Sequence, residues 1–201
     1  MPFHERFEKI RVFRENSSEK ATRNTSKYPY RYFFSSYNRT ESIIVPSCTS
    51  ERRKYIPIGF QSADVIIAGS ANAIYNAEMW IFGVISSNVH MAWVKTVGGR
   101  LKTDYRYSPQ LCYNTFPFPK ISESKKQEIE EAAEEVLLVR EDYPGKTLAE
   151  LYDPDKMPDD LREAHHRLDL IVESCYQDKP FANDEERLEC LFKLYEKMTK
   201  K

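Results

Sequence analysis

The chain has 201 residues, 41% of them hydrophobic, with 30 Lys and Arg against 31 Asp and Glu and a formal net charge of −1. That length can bury a core without metals or disulfides, and the longest apolar stretch, Met79 to Ile85, is far too short to span a bilayer. The near-zero charge, which taken whole argues against a nucleic-acid partner, is a cancellation: residues 1–118 carry 16 Lys and Arg against 9 Asp and Glu, a net of +7, while residues 119–201 carry 14 against 22, a net of −8.

In chain order, the first element is a helix from Phe3 to roughly Asn16, with Phe3, Phe7, Ile10 and either Phe13 or Arg14 at helical spacing. Ser17-Ser18 weakens it, and Lys20 to Arg23 forms a second turn or a loop. From Tyr30 to Phe60 short apolar runs broken by polar turns predict strands at Tyr32-Phe33-Phe34, Ile43-Ile44-Val45 and Tyr55-Ile56-Pro57-Ile58. Pro46 and Pro57 suit edge strands or strand ends. Val65-Ile66-Ile67 predicts a further strand, expected to be the most buried. Ala77 to Asn88 reads as helix, extended after a break by Val89 to Val97 and stopped by Gly98-Gly99. Leu101 to Tyr107 alternates in part and predicts one more strand.

Beyond the Phe116-Pro117-Phe118-Pro119 turn the signals are helical. Ser122 caps a helix to about Glu141 with Ile129, Ala132, Ala133, Val136 and Leu137 on its apolar face. Thr147 opens a short helix through Tyr152, and Leu161, Ala164, Leu168, Ile171, Val172 and Cys175 mark another. Asn183 with Glu186 has the spacing of a capping box, ahead of a helix burying Leu188, Leu191, Phe192 and Tyr195. Of the 26 aromatic residues, 20 precede Pro119. The expected fold is therefore α+β: a mixed α/β domain over residues 1–118 with a curled, mostly antiparallel sheet, then a small all-α bundle over 119–201.

No catalytic constellation emerges. Gly98-Gly99 lacks the frame of a phosphate-binding loop. His165-His166, adjacent on a helix, point about 100° apart and cannot share a metal; one partly buried and one solvated histidine is the expectation. His4 and His90 stand alone, and the four cysteines (Cys48, Cys112, Cys175, Cys190) form no CxxC pair, as expected of reduced thiols in a cytoplasmic protein. Glu123-Ser124-Lys125 has the ExK spacing of metal-dependent nucleases but sits just past a helix cap, where acids are expected anyway. The N-terminus has no apolar signal core.

The basic part groups its cations among aromatics and small polar residues: Lys20 to Arg23, Arg52-Arg53-Lys54-Tyr55, and Arg100 to Tyr107. Arg52, Arg53, Lys54, Arg100 and Arg106 are candidates for contacts to nucleic-acid phosphates. On composition alone, solvated faces and salt bridges explain such groups slightly better, and Arg100 could instead pair with an acid on a neighbouring helix. Lys102 and Asp104 are more specific. On a strand, residues i and i+2 share a face. A lysine there serves guanine O6/N7 while an aspartate accepts from cytosine N4, so the pair could read both edges of a G·C pair.

Several ordered stretches resemble the C-terminal region of the MmeI-like family of fused restriction–modification enzymes (type IIL, YeeA-like). They are Phe82 to Val94, Gly99 to Ser108, Tyr113-Asn114-Thr115-Phe116-Pro117, Ser50 to Pro57, Leu151-Tyr152-Asp153-Pro154 with Met157-Pro158, Asn183 to Leu188, and Leu194 to Met198. The resemblance implies a target recognition domain followed by a C-terminal helical domain, serving an adenine-N6 DNA methyltransferase fused to a nuclease and directing both activities to a short asymmetric site. Double-stranded DNA is then the partner. The methyltransferase and nuclease domains would lie in the same or a companion chain, and S-adenosylmethionine and magnesium would belong to them, with no cofactor in these residues. In the family the two variable positions after Gly-Arg help to determine a recognised base pair; here they are Lys102 and Asp104, which would specify a G·C pair with guanine facing Lys102. The acidic bundle would brace the recognition domain, keeping its Glu128-to-Glu135 face from DNA, with a basic edge near Lys193 to Lys201. Two alternatives stay open: a scaffold fragment of a methylase subunit that does not read bases, and a stand-alone enzyme.

Overall fold

The structure, a computed structural model, describes residues 2–32 and 37–200, so Phe33 and Phe34 of the expected strand at 32–34 lie outside the described residues. The chain forms two compact units, Met1–Asn38 and Arg39–Lys201. In the first, helix α1 (Phe3–Glu15) is followed by the short α2 (Lys20–Asn24). Arg14, not Phe13, is the organising residue of this unit. Its guanidinium donates to the carbonyls of Thr25, Tyr28 and Arg31 at 3.2, 2.9 and 2.8 Å, closing the chain back on the helix. Phe13 is left exposed.

The second unit is built on two three-stranded antiparallel sheets. In one, β1 (Ser42–Pro46) lies between β3 (Gly59–Gln61) and β4 (Ala71–Tyr75); in the other, β6 (Asp104–Arg106) lies between β2 (Cys48–Thr49) and β5 (Gly99–Leu101). Ser47 joins them: its N–H donates to Ser70 O at 3.0 Å and its carbonyl accepts from Tyr107 N–H at 2.9 Å. The β-branched run Ile43-Ile44-Val45 occupies the central strand, as its composition predicts, and Pro46 ends it.

Among the described residues, two expected strands are absent. Val65-Ile66-Ile67 is an exposed connection, with Ile66 61% accessible. Since β3 and β4 both run antiparallel to β1 on its two sides, residues 62–70 are spent carrying the chain back from one edge of the sheet to the other, and they pair with neither edge strand. Tyr55, Ile56 and Ile58 are buried, but the expected strand at 55–58 forms no ladder. Pro57 has no N–H to give, Ile58 N–H turns back to Ile56 O (2.9 Å), and Ile58 O accepts from Arg140 (2.9 Å).

Helices α3 (Met79–Ile85) and α4 (Asn88–Val97) carry the core, with Phe82, Val84, Val89, Trp93 and Val94 buried. Then α5 (Glu123–Glu141), α6 (Leu148–Leu151), α7 (Asp159–Glu173) and α8 (Asp184–Thr199) follow. Ser122 caps α5 through Lys125 N–H (3.2 Å), and Thr147 with Glu150 closes a full capping box at α6. At α8 the arrangement is a variant: Asn183 accepts from Glu186 N–H (3.0 Å), but the Glu186 carboxylate reaches back to Ala182 N–H (2.9 Å) instead of the cap residue.

The change in composition at Pro119 is not a break in packing. Gly83 of α3 lies so close to α5 that a Cβ there would stand 2.5 Å from Ile129 Cγ2, and Trp93 of α4 packs on Phe192 (5.1 Å) and Tyr195 (5.7 Å) of α8. The turn at 116–119 is itself largely buried, with Phe116 edge-on to His90 (4.6 Å) and Pro117 O accepting from Tyr176 (3.2 Å). The four cysteines are unbridged. Among the described residues no helix is long and apolar enough to cross a membrane.

Candidate nucleic-acid interface

The β5–β6 hairpin grows directly out of α4. Gly98 makes the exit possible, because a Cβ there would meet Val94 O at 2.5 Å and Arg106 O at 3.2 Å. Pairing of Leu101 with Asp104 leaves Lys102 and Thr103 as a two-residue turn, and Lys102 adopts a φ of 57°. This corrects the single strand expected over Leu101 to Tyr107. Lys102 stands at the hairpin tip instead of sharing a strand face with Asp104. The residue that shares the Asp104 face is Arg106, with Leu101 and Cys48 beside them by register. Tyr105 points the other way into the core, and Arg100, opposite it, lays its guanidinium over the Tyr105 ring at 4.1 Å.

Arg100 is also held by Thr103 O (2.7 Å) and Glu51 (3.6 Å), so its acidic partner lies in the turn after β2, not on a helix. That contact sets the basic turn at residues 50–54 beside the hairpin. The cations of this turn are partly committed. Arg52 pairs with Asp155 at 2.7 Å, Arg53 donates to Ala149 O at 3.3 Å, and Lys54 lies over the Tyr55 ring at 5.2 Å. Lys102, Asp104 and Arg106 have no ion pair among the described residues. The seven residues singled out from sequence thus fall on two adjacent segments, four of them (Arg52, Arg53, Lys54 and Arg100) held by protein contacts and three uncommitted.

Sequence reasoning missed a recess of about 480 Å³ next to Arg106, bordered by Ser47, Asn72, Ser108 and Gln110. Its polar groups come from segments far apart in the chain, and no local spacing signals them. A single π-helical turn, Pro109–Tyr113, shapes one wall.

Beneath the basic turn, Tyr55 donates its hydroxyl to Asp169 at 2.8 Å and stacks on His165 at 4.0 Å. His165 is fully buried against Tyr152 OH (2.6 Å), while His166 is exposed. Burial, then the positive charges of Arg140 and Lys54, holds His165 well below its ordinary pKa. Burial pushes Asp169 up to about 6, against the lowering effect of hydrogen bonds from Asn88 and Tyr55. Among the described residues no group of three or more His, Cys, Asp or Glu is placed to hold a metal ion.

The site is thus a basic hairpin mounted on an α+β core, with Lys102 and Asp104 uncommitted at its tip. Family models are more specific: residues 1–120 match the MmeI target recognition domain and residues 121–201 the MmeI C-terminal domain, so the chain belongs to the MmeI family. It is 50% identical over 188 residues to DNA methyltransferase A of Bacillus subtilis (strain 168), covering 94% of this chain and 21% of that protein. It also superposes with a TM-score of 0.90, at 42% identity, on the type IIL restriction–modification enzyme MmeI solved in complex with DNA, over 98% of this chain and 26% of that one. The chain thus spans 21% and 26% of the lengths of these two relatives.

Proposed function

We propose that this chain reads duplex DNA sequence for a restriction–modification protein, through the β5–β6 hairpin and the neighbouring basic turn. The observation that carries the reading is the uncommitted Lys102 and Asp104 at the hairpin tip. An acid at the point of a cationic finger is repelled by phosphate and suits a base edge. Lys102 facing guanine and Asp104 facing cytosine would specify one G·C pair, approached from the tip instead of from a strand face. Arg106 and Lys54, which form no ion pair among the described residues, are the first phosphate contacts in this scheme. Arg52, Arg53 and Arg100 would contribute charge while held by the protein. S-adenosylmethionine and magnesium would be bound by the methyltransferase and nuclease parts of the protein, outside these residues.

The test is the paired exchange Lys102→Glu with Asp104→Arg in the intact protein, followed by methylation mapping. The expected result is the same site with that G·C pair inverted. An unchanged site would remove the hairpin tip from recognition and favour a scaffold role.

A further inference from the structure

Asp169 sits on α7, in the acidic helical part, and is 3% exposed. Every hydrogen bond that it accepts from another element comes from the basic part of the chain. Asn88 N–H donates to Oδ1 at 2.7 Å, Asn88 Nδ2 to Oδ2 at 2.6 Å, and the Tyr55 hydroxyl to Oδ2 at 2.8 Å.

The two donors are not arbitrary. Tyr55 directly follows Arg52-Arg53-Lys54 and roots the basic turn. Asn88 is the first residue of α4, whose far end becomes β5 of the hairpin. One buried carboxylate therefore holds the roots of both segments that carry the candidate DNA-contacting residues. The struts Arg52–Asp155 and Arg53 to Ala149 O tie the same turn to the same helical part at the surface.

Stability alone does not explain this choice of residue. A buried carboxylate costs more than an apolar side chain of similar volume. What it supplies instead is direction: two oxygens accepting from three donors at fixed positions, where an apolar contact could slide.

We propose that Asp169 is a positioning residue for sequence recognition. Through it the C-terminal helices set the placement of the basic turn relative to the β5–β6 hairpin, and so which bases the hairpin tip reaches. This rests on the DNA-reading function proposed above. The consequence is selective. Loosening the anchor degrades discrimination between sequences, whereas phosphate contacts, which tolerate small shifts, persist.

The experiment compares the intact protein with its Asp169→Asn, Tyr55→Phe and doubly substituted forms. The probes are a duplex carrying the sequence that the intact protein methylates and a duplex of the same composition with that sequence scrambled. Each variant is expected to exchange amide hydrogens faster in both residues 50–54 and residues 99–106. The affinity ratio between the duplexes should fall about tenfold, the scale of one poorly read base pair, with the salt dependence of binding unchanged. The double variant should be little worse than Asp169→Asn alone, because the Tyr55 hydroxyl bonds the carboxylate that this change already alters. Unchanged exchange in those segments, or faster exchange with an unchanged ratio, would overturn the proposal. If the unsubstituted protein itself shows no preference between the duplexes, the DNA-reading function fails first, and this role fails with it. Should Asp169→Asn not fold, Tyr55→Phe removes a single hydroxyl and carries the same test.

Discussion

Lys102 offers a direct measurement of strain held at the proposed reading position. Its φ of 57° places an L-residue in the left-handed region, at a cost of about 1–2 kcal/mol that glycine does not incur. Replacing it by glycine relieves that cost but enlarges the conformational freedom of the unfolded chain, which takes back about 0.5–1 kcal/mol. Lys102 makes no ion pair among the described residues, so little else is lost from the fold. Lys102→Gly is therefore expected to raise the unfolding free energy by about 0.5–1 kcal/mol, read as a higher urea midpoint at constant m-value. In the intact protein it should weaken discrimination at one base pair by about 1–3 kcal/mol. Lys102→Asn, which tolerates the same φ while shortening the side chain, separates the two effects. It should lose discrimination with a smaller gain in stability. A glycine variant no more stable than the parent would refute the strain, and unchanged discrimination would refute the reading role of the tip.

Other consequences concern the core beneath the interface. Gly83→Ala gains about 1 kcal/mol of helix propensity but drives a methyl to 2.5 Å from Ile129 Cγ2, with Ala133 Cβ and Ile129 O both at 3.4 Å blocking retreat. Overpacking of about 1–3 kcal/mol should win and lower the urea midpoint, and adding Ile129→Ala should cost less than the sum of the two single changes. Glu173→Gln leaves the largely buried Arg187, now bonded to Glu173 at 2.5 and 2.8 Å, without its buried counter-charge and should cost about 3–5 kcal/mol in the same assay. Asp169 has a pH signature. Its folded pKa of about 6 lies above its ordinary 3.8, so the folded state binds the proton more readily and this group's contribution to stability rises as pH falls from about 7 to about 4. The difference between the pH–stability profiles of the parent and Asp169→Asn should show that rise, up to about 3 kcal/mol. Buried His90, pushed down to about 3, acts oppositely below its ordinary value of 6.5 and cancels in the difference.

What the sequence determined on its own is local. The helices after Pro119 and the caps at Ser122 and Thr147 were legible because their causes, apolar spacing and a side chain bonding to an amide three residues on, lie within one or two turns. The unequal charge of the two parts and the cluster of cations around Lys102 and Asp104 were equally visible. Tertiary structure decided what depends on distant partners. Val65-Ile66-Ile67 has the composition of a buried strand but lies in the exposed connection that carries the chain from β3 to β4, and in the run Tyr55 to Ile58 the Ile58 carbonyl accepts from Arg140, 82 residues away. The hairpin turn at Lys102 follows from register, which a short alternating run does not specify. Asp169 was silent in sequence because its donors lie 81 and 114 residues off. A carboxylate within a helix reads as a solvated charge until the fold closes over it, and only then does the same group become the buried acceptor that holds Tyr55 and Asn88 in place.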